Sequence, residues 1–352
     1  MTLDILPDIA LLEIFDFYVA QASDRSGVPI YRETWITLVH VCRKWREIVF
    51  ESPRRLNLRL LVLPHRSVKV MLDTWPPLPI DLWSSAIGNC SRDTTISALE
   101  HDDRIRLIEL FDTSSSKMTQ TLAAMQKPFP ALISLSLSLS EQGTSSVVPD
   151  LFLGESAPHL QSLRLINIPF PLPALKNLLL SATDLIEIRF RRMPTSWYIS
   201  PEEMVTCLST LIRLKELELG FQSSDNRGGR RLPPSTRCVL PALTSLQFKG
   251  VYEYMEDLMA RIDAPQLDDL KLFLFDKPVL DAPQLARFIG RVPRLKAFNE
   301  LHVLFDTRGI FVFLPWTLRK GLQFGVLLHP SNQLSGLVKL CTSSFVRTII
   351  PS

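Results

Sequence analysis

The stretch Leu160-Gln161-Ser162-Leu163-Arg164-Leu165 carries the pattern that decides the fold. Its leading leucine is followed by apolar residues three and five positions later. Side chains two positions apart on a β-strand point to the same face, so Leu163 and Leu165 are expected to enter a core together. The leading leucine is expected to direct the chain toward the core just before the strand begins. This pattern therefore predicts a short strand with one buried face.

The same pattern recurs at a nearly constant interval along most of the chain. Its first position is occupied in turn by Ile105, Leu132, Leu160, Leu185, Leu214, Leu243 and Leu267, with a weaker copy at Leu295. Successive copies begin 24 to 29 residues apart, within the range of about 20–29 residues for leucine-rich repeats. Proline stands two residues before five copies, at Pro130, Pro158, Pro241, Pro265 and Pro293. A residue with fixed φ and no amide donor suits the turn that leads into a strand.

The repeats are irregular. The asparagine or cysteine that usually follows the last strand leucine by three positions is absent. In its place stand Ser140, Ile168, Met193, Gln222, Val251 and Phe275. Alternating apolar residues at 56–62 and 78–82 predict two earlier strands, with a turn at Met71-Leu72 between them. Residues 223–235 are expected to form an inserted loop. Beyond Leu295, either an irregular cap covers the array or the array extends past this sequence.

The first fifty residues predict two helices. Pro7 and Asp8 suit the first turn of a helix, and apolar residues then cover most of its circumference. A second helix is indicated over 35–49 by apolar residues at three- and four-residue intervals, with Ser52-Pro53 ending it. Residues 21–32 are expected to form an exposed loop. Because two such helices cannot enclose so many large side chains, the rest of the chain or a partner must cover them.

Two blocks of this region resemble the F-box motif. The blocks are Leu6-Pro7-Asp8-Ile9-Ala10-Leu11-Leu12-Glu13-Ile14-Phe15 and Leu38-Val39-His40-Val41-Cys42-Arg43-Lys44-Trp45-Arg46. They match the pattern LPxxLLxxIF followed by a V-C-x-x-W segment, in that order. Residues 35–57 are similar to a large group of fungal F-box proteins. The chain departs from the motif in its longer loop between the helices and in Ile9, where many members carry an acid.

The resemblance implies a role in ubiquitin transfer. An F-box docks on the Skp adaptor, which bridges to a cullin scaffold. The positions that match its contact residues are Leu6, Pro7, Leu11, Ile14, Val41, Cys42 and Trp45. The expected fold is α/β, with an N-terminal helical F-box (1–53) followed by an irregular leucine-rich-repeat solenoid (54–352). The chain would then be the substrate-recognition subunit of a Skp–cullin–F-box E3 ubiquitin ligase, its repeats binding a protein substrate.

The main alternative is a leucine-rich-repeat interaction scaffold with no role in ubiquitin transfer. In that case Leu6, Leu11, Ile14 and Trp45 are core residues of a helical cap on the first strand. Copurification with the Skp adaptor would discriminate between these two hypotheses.

A substrate surface is expected on the concave face of the sheet, where residues between the strand leucines point outward. This row comprises Arg164, Glu187, Arg189, Arg191, Glu216, Glu218, Gln247, Lys249, Asp269, Lys271 and Phe273. The candidate substrate-binding residues within it are Arg164, Arg189, Arg191, Glu216, Glu218, Lys249, Lys271 and Phe273. Since Arg189 and Arg191 precede Glu216 and Glu218 by one repeat, neighbouring strands could instead neutralise each other through cross-strand pairs.

Composition sets bounds on partners and location. The formal net charge is +3, so no long-range field favours nucleic acid or a membrane surface. The five cysteines form an odd set without a CxxC pair or zinc-ligand spacing, which predicts a reducing cytoplasm or nucleus and no metal site. We expect neither a signal peptide nor a membrane span.

Enzymatic activity and cofactors are not expected. The segment Gly154-Glu155-Ser156-Ala157-Pro158 matches half of a nucleophile elbow but lacks its second glycine. His40 falls within the predicted second helix, where a helix-face or interface role is favoured over that of a general base. A hydrolase resting on Ser156 is the third alternative, which labelling by an activity-based probe would support.

Overall fold

A computed structural model describes residues 6–24, 34–62, 67–84, 92–112, 114–140, 147–194, 199–222, 237–275, 283–296, 302–306, 309–317 and 320–327. The chain divides into two compact units, Met1–Phe111 with Phe129–Leu132, and Asp112–Pro128 with Ile133–Ser352. The division falls inside the expected repeat region and not at residue 53. The N-terminal helices belong with the first strands because they pack together: the Trp35 indole donates to the Arg59 carbonyl at 3.0 Å, and its ring meets that of Trp75 edge-on.

The first unit combines helices with three parallel strands. Its elements are α1 (Asp8–Asp24), α2 (Thr34–Val39), α3 (Arg43–Glu51), β1 (Leu60–Val62), α4 (Val68–Thr74), β2 (Ile80–Ser84), α5 (Arg92–Leu99) and β3 (Ile105–Asp112). Strand β2 pairs in parallel with both β1 and β3. The two early strands predicted from alternation are thus present, although β1 begins only at Leu60. Met71-Leu72 lies in α4 and not in a turn.

Two expectations for the N-terminal helices were wrong in detail. The segment predicted as one helix over 35–49 forms α2 and α3, separated at Cys42, whose backbone is extended (φ −158, ψ 173). Apolar spacing is the same on both sides of this break, so periodicity could not reveal it. Helix α1 runs to Asp24, because the helix-breaking Gly27 and Pro29 come only later. The rest of the predicted loop, 25–32, lies outside the described residues.

The second unit alternates strands with helices. Its elements are α6 (Ser115–Ala124), β4 (Ser134–Leu139), β5 (Ser162–Ile166), α7 (Leu172–Ser181), β6 (Glu187–Met193), α8 (Pro201–Leu208), β7 (Glu216–Phe221), β8 (Cys238–Val239), β9 (Ser245–Gly250), α9 (Tyr252–Arg261), β10 (Ile262–Asp263), β11 (Asp269–Phe275), α10 (Pro283–Arg291), β12 (His302–Asp306), β13 (Gly309–Thr317) and β14 (Lys320–Leu327). Short 3-10 helices occupy Phe152–Glu155 and Pro293–Lys296. The inserted loop expected at 223–235 falls outside the described residues.

A large, mainly parallel sheet forms the centre of this unit. Its strand order is β4-β5-β6-β7-β9-β11-β14-β13-β12. The pairings from β4 to β14 are parallel, whereas β13 is antiparallel to both β14 and β12. The six copies that begin at Leu132, Leu160, Leu185, Leu214, Leu243 and Leu267 therefore each lead into a strand of the mixed α/β fold, and the copy at Ile105 lies within β3. The weak copy at Leu295 lies in a 3-10 helix, and β14, which comes much later in the chain, takes the place beside β11.

The repeat leucines are buried, and each closes a tight turn. The amide of Leu160 donates to the Ala157 carbonyl at 3.1 Å, and that of Leu267 donates to Ala264 at 3.2 Å. The proline expected in these turns occupies the position after the accepting residue, where its fixed φ favours a β-turn. The prolines that the sequence predicts to mark turns therefore lie in turns of the structure.

Polar contacts join the ends of several strands through Asn167. This residue lies one position before Ile168, where a leucine-rich repeat usually carries its asparagine. Asn167, with a left-handed φ of 58, donates from its side chain to the Leu139 carbonyl at 3.1 Å. Its side-chain oxygen accepts from Gln222 at 2.8 Å. Asparagine tolerates this backbone conformation better than most residues. Asn167 therefore connects the C-terminal ends of β4, β5 and β7.

Candidate functional site

Polar side chains line the face of the sheet opposite the buried leucines. The strand register places five residues side by side in one row, namely Arg164, Arg189, Glu218, Gln247 and Lys271. The adjacent row contains Ser162, Glu187, Glu216, Ser245 and Asp269. We call these two rows the polar face. Residues that lie about one repeat apart in the sequence are thus direct neighbours in the parallel sheet.

Three arginines and three glutamates form a network on and beside the polar face. Arg164 holds Glu187 with two hydrogen bonds, from Nε at 2.9 Å and from Nη2 at 2.7 Å. Arg189 also pairs with Glu187 and donates to Glu216 at 2.7 Å. Arg191 holds Glu218 in the same forked way, at 2.6 and 2.7 Å. The cross-strand neutralisation predicted from sequence is confirmed.

The network changes the proton affinity of Glu187 and Arg191. Burial alone would raise the pKa of Glu187, but the hydrogen bond from Arg164, the charges of Arg189 and Arg164, and the Ser162 hydroxyl together hold it below the usual value. The hydrogen bond to Glu218 raises the pKa of Arg191. Both shifts favour the charged forms, so Glu187 and Arg191 are ionised near neutral pH.

Glu187→Gln is expected to lower the free energy of unfolding at pH 7 by about 1–2 kcal/mol, because two arginines lose a charged acceptor in a partly solvated setting. A carboxylate with a lowered folded-state pKa stabilises above its unfolded pKa of about 4.3, and this stabilisation is lost as the pH falls through the folded-state value. The difference between wild type and variant should therefore shrink in acid. Urea denaturation across pH measures it.

Glu216→Gln provides the matched control. The Glu216 side chain is 48% exposed, against 12% for Glu187, and exposed pairs contribute less than about 1 kcal/mol. A Glu216→Gln effect as large as that of Glu187→Gln, or a Glu187→Gln effect that does not depend on pH, would contradict this account of the network.

A cleft of about 430 Å³ opens on the polar face, a size within the usual range of about 300–1,000 Å³ for ligand pockets. It is lined by Arg189, Arg191, Glu216, Leu217, Glu218, Thr244, Ser245, Gln247, Asp268, Asp269 and Lys271. These residues come from β6, β7, β9 and β11 and from the positions just before β9 and β11. The sheet therefore brings together side chains from four successive repeats.

The sequence prediction identified only part of this lining. Among the eight candidate residues, the cleft includes Arg189, Arg191, Glu216, Glu218 and Lys271. Thr244, Ser245 and Asp268 were missed. They directly follow the leading leucines of their repeats, a position at which Gln161, Ser162 and Lys215 are also polar, so the signal was present in the sequence.

The other three candidates lie elsewhere on the strands. Arg164, on β5, forms an ion pair with Glu187 on β6. Lys249 and Phe273 are paired across β9 and β11, and the Lys249 ammonium lies 5.5 Å from the ring centre of Phe275. That distance permits a cation–π interaction. These three residues do not line the cleft.

The candidate adaptor-binding residues differ in exposure. Leu11 is completely buried, so it stabilises the helices from inside. The half-buried Trp45 packs its ring 4.7 Å from that of buried Phe15. Pro7 and Cys42 are exposed, and Leu6 is half-buried, its carbonyl accepting from Lys44 at 3.2 Å.

Large apolar side chains remain uncovered on α1 and at the junction between α2 and α3. The exposed fractions are 71% for Ile9, 50% for Ile14, 65% for Phe17, 44% for Tyr18 and 52% for Val41. Ile14, Phe17 and Tyr18 lie at i, i+3 and i+4, on one side of the helix. We call these five residues the N-terminal apolar patch. Only Ile14 and Val41 were among the candidate contacts, although Ile9, Phe17 and Tyr18 belong to the apolar residues expected to cover most of the first helix.

Ser156, the residue on which the hydrolase alternative rests, is exposed. His40 is exposed, with its ring 6.1 Å from that of Trp75. Burial raises the pKa of Cys207, and it raises that of Cys238 to about 11, which keeps both thiols protonated near neutral pH. Within the described ranges, no three His, Cys, Asp or Glu side chains gather as metal ligands.

Two further findings concern membrane-spanning helices and similarity to known proteins. Among the described helices, none has both the length and the apolar character needed to cross a bilayer. No protein-family model and no curated protein matches the sequence.

Proposed function

We propose that this chain is the substrate-recognition subunit of a Skp–cullin–F-box ubiquitin ligase. The F-box-like helices α1–α3 dock on the Skp adaptor, which links them to a cullin scaffold, and the repeats bind a protein substrate. The principal support is the N-terminal apolar patch. Monomeric proteins rarely leave a large apolar surface uncovered unless it is an interaction site.

The size and nature of the patch suit a protein partner. Full burial of a large apolar side chain contributes about 1.5–3 kcal/mol, and the five patch residues together offer several such contributions. The interior of the same helices is already filled by Leu11, Phe15 and Val39. The patch residues are therefore available without disturbing the core that holds α1 against α2 and α3.

The polar face and its cleft support the second half of the proposal. A row of polar side chains across parallel strands offers an extended surface on which a protein segment can lie. Since the patch and the cleft belong to different units, adaptor and substrate would use separate residues. In this proposal the chain itself has no catalytic role. The proposal also implies a location in the cytoplasm or nucleus, where such ligases work.

Size-exclusion chromatography of the full chain with the purified Skp adaptor tests the proposal. We expect a stable complex in which the adaptor elutes earlier than it does alone, and recruitment of the cullin to that complex. If the folded chain and the adaptor elute separately at micromolar concentrations, the proposal fails. The alternative, a repeat scaffold outside ubiquitin transfer, would then be favoured.

A further inference from the structure

The charges that line the cleft are compensated within the chain. Each of the seven charged lining residues belongs to an ion pair, and the pairs are Arg189 with Glu216, Arg191 with Glu218, Lys271 with Asp269, and Asp268 with Arg294. A charged ligand group would have to break one of these pairs or bring an uncompensated charge into the cleft. Either event costs free energy. The cleft therefore disfavours charged ligand groups.

Gln247 supplies an uncharged hydrogen-bonding group in the middle of the cleft. The strand register places it between Glu218 on β7 and Lys271 on β11, and the residue is half-buried. Its carboxamide forms no hydrogen bond with any residue in the described part of the chain, and its polar atoms are not buried by their neighbours. Both a donor and an acceptor are therefore open to a ligand.

Two hydroxyls beside Gln247 offer further acceptors. The Ser245 hydroxyl donates to Asp269 at 2.9 Å, and the Thr244 hydroxyl donates to the Lys215 carbonyl at 3.2 Å. A hydroxyl that has donated its only proton can still accept a hydrogen bond. A ligand group that matches this part of the cleft thus carries N–H donors, an acceptor for Gln247 and no charge. The carboxamide of asparagine or glutamine meets these requirements.

Other classes of ligand match the cleft less well. Among the described residues that line it, none is aromatic, so it offers no ring on which a nucleic-acid base could stack. Its arginines and its lysine are held by carboxylates, which leaves none of them to recognise a phosphate. An apolar group would remove water from the ion pairs and from Gln247 without returning a hydrogen bond. These properties favour a protein segment with an uncharged polar side chain.

We infer that the cleft binds an asparagine or glutamine side chain of a recruited protein segment. The carboxamide of the segment pairs with that of Gln247 through two hydrogen bonds, in which each group donates one N–H and accepts one. Its second N–H donates to the hydroxyl oxygen of Ser245 or Thr244. This inference rests on the proposed function only in identifying the segment as part of a substrate.

A peptide selection on the immobilised full chain tests the inference. The probe is a displayed library of randomised peptides, and sequencing reports which residues are enriched among the binders. We expect asparagine or glutamine to be enriched at one position. Synthetic versions of the best binder then carry glutamate, lysine or leucine at that position. Each should bind at least about tenfold more weakly, because the paired hydrogen bonds are lost or a charge meets the compensated ion pairs.

Two substitutions at Gln247 locate the effect. Gln247→Leu removes the hydrogen-bonding group with little change in size and should abolish the preference for the amide peptide over its leucine version. Gln247→Glu adds a charge without a partner and should shift the preference to the lysine version. Gln161→Leu makes the first change at an exposed residue outside the cleft and should leave the amide preference intact. Circular dichroism checks folding, and if one Gln247 variant is unfolded, the other decides.

Several outcomes would overturn the inference: no enrichment of asparagine or glutamine with the wild type, binding that tolerates glutamate or lysine in place of the amide, or an amide preference that survives in the folded Gln247 variants. Adaptor binding is measured on the same preparations. An amide preference without adaptor binding would support the cleft assignment and count against the proposed function. Adaptor binding without the preference would do the reverse.

Discussion

Phe248→Ala is expected to lower the free energy of unfolding of the second unit by about 3–5 kcal/mol. Phe248 is completely buried on β9, between Phe221 and Tyr254, with ring centres 6.1 and 5.7 Å away. A Cβ at Gly250 would lie 2.7 Å from the Phe248 ring, so the cluster is tightly packed. Truncation leaves a cavity that the surrounding strands cannot close. Urea unfolding followed by circular dichroism measures the loss.

Two comparison variants make the result specific. Phe248→Leu keeps most of the volume and should cost clearly less than Phe248→Ala. Ile212→Ala removes an apolar side chain that is largely exposed in the same unit, so its effect should stay within about 0.5 kcal/mol. Equal losses for Phe248→Ala and Ile212→Ala would contradict the placement of the core on this face of the sheet.

The double substitution Ile14→Asp with Val41→Asp is expected to abolish binding to the Skp adaptor. Central apolar anchors of an interface typically contribute about 2 kcal/mol or more each, and a buried aspartate adds a desolvation cost. Together these effects weaken binding by about a thousandfold or more. Because both side chains are at least half exposed, the fold should survive. Isothermal titration calorimetry with the adaptor measures the loss.

Val70→Asp is the control for this experiment. Val70 lies on α4 in the same unit and is 63% exposed, but it lies outside the patch. Its replacement should leave adaptor affinity unchanged. If Val70→Asp weakens binding as much as the double substitution does, the effect arises from general charge or instability and not from the patch.

Much of the second unit could be predicted from sequence because its signals are local and repeated. The spacing from Leu160 to Leu165 specifies which residues of a strand are buried, and Pro158 or Pro265 marks the turn before it. Arg189 and Glu216 could be predicted as neighbours, because parallel strands of one repeat length bring equivalent positions together. The α/β class and the cross-strand ion pairs follow from these features.

Other features depend on packing that no short pattern encodes. Leu11 and Ile14 both match the helical motif, yet one is completely buried and the other half exposed, since the position of α3 decides which side of α1 is covered. The apolar spacing continues unchanged across the break at Cys42, so the spacing could not reveal that two helices meet there. The cleft lined by Gln247 and Asp269 emerges only when β9 and β11 are placed side by side.

Hydrogen exchange of the full chain with and without the Skp adaptor tests most directly whether a partner covers the N-terminal apolar patch. The adaptor is predicted to slow amide exchange in α1 and across 39–46, while exchange in β6, β7, β9 and β11 stays unchanged. If saturating adaptor leaves exchange in α1 and 39–46 as it was, or slows it only on the strands of the polar face, the patch is not the docking surface and the account is contradicted.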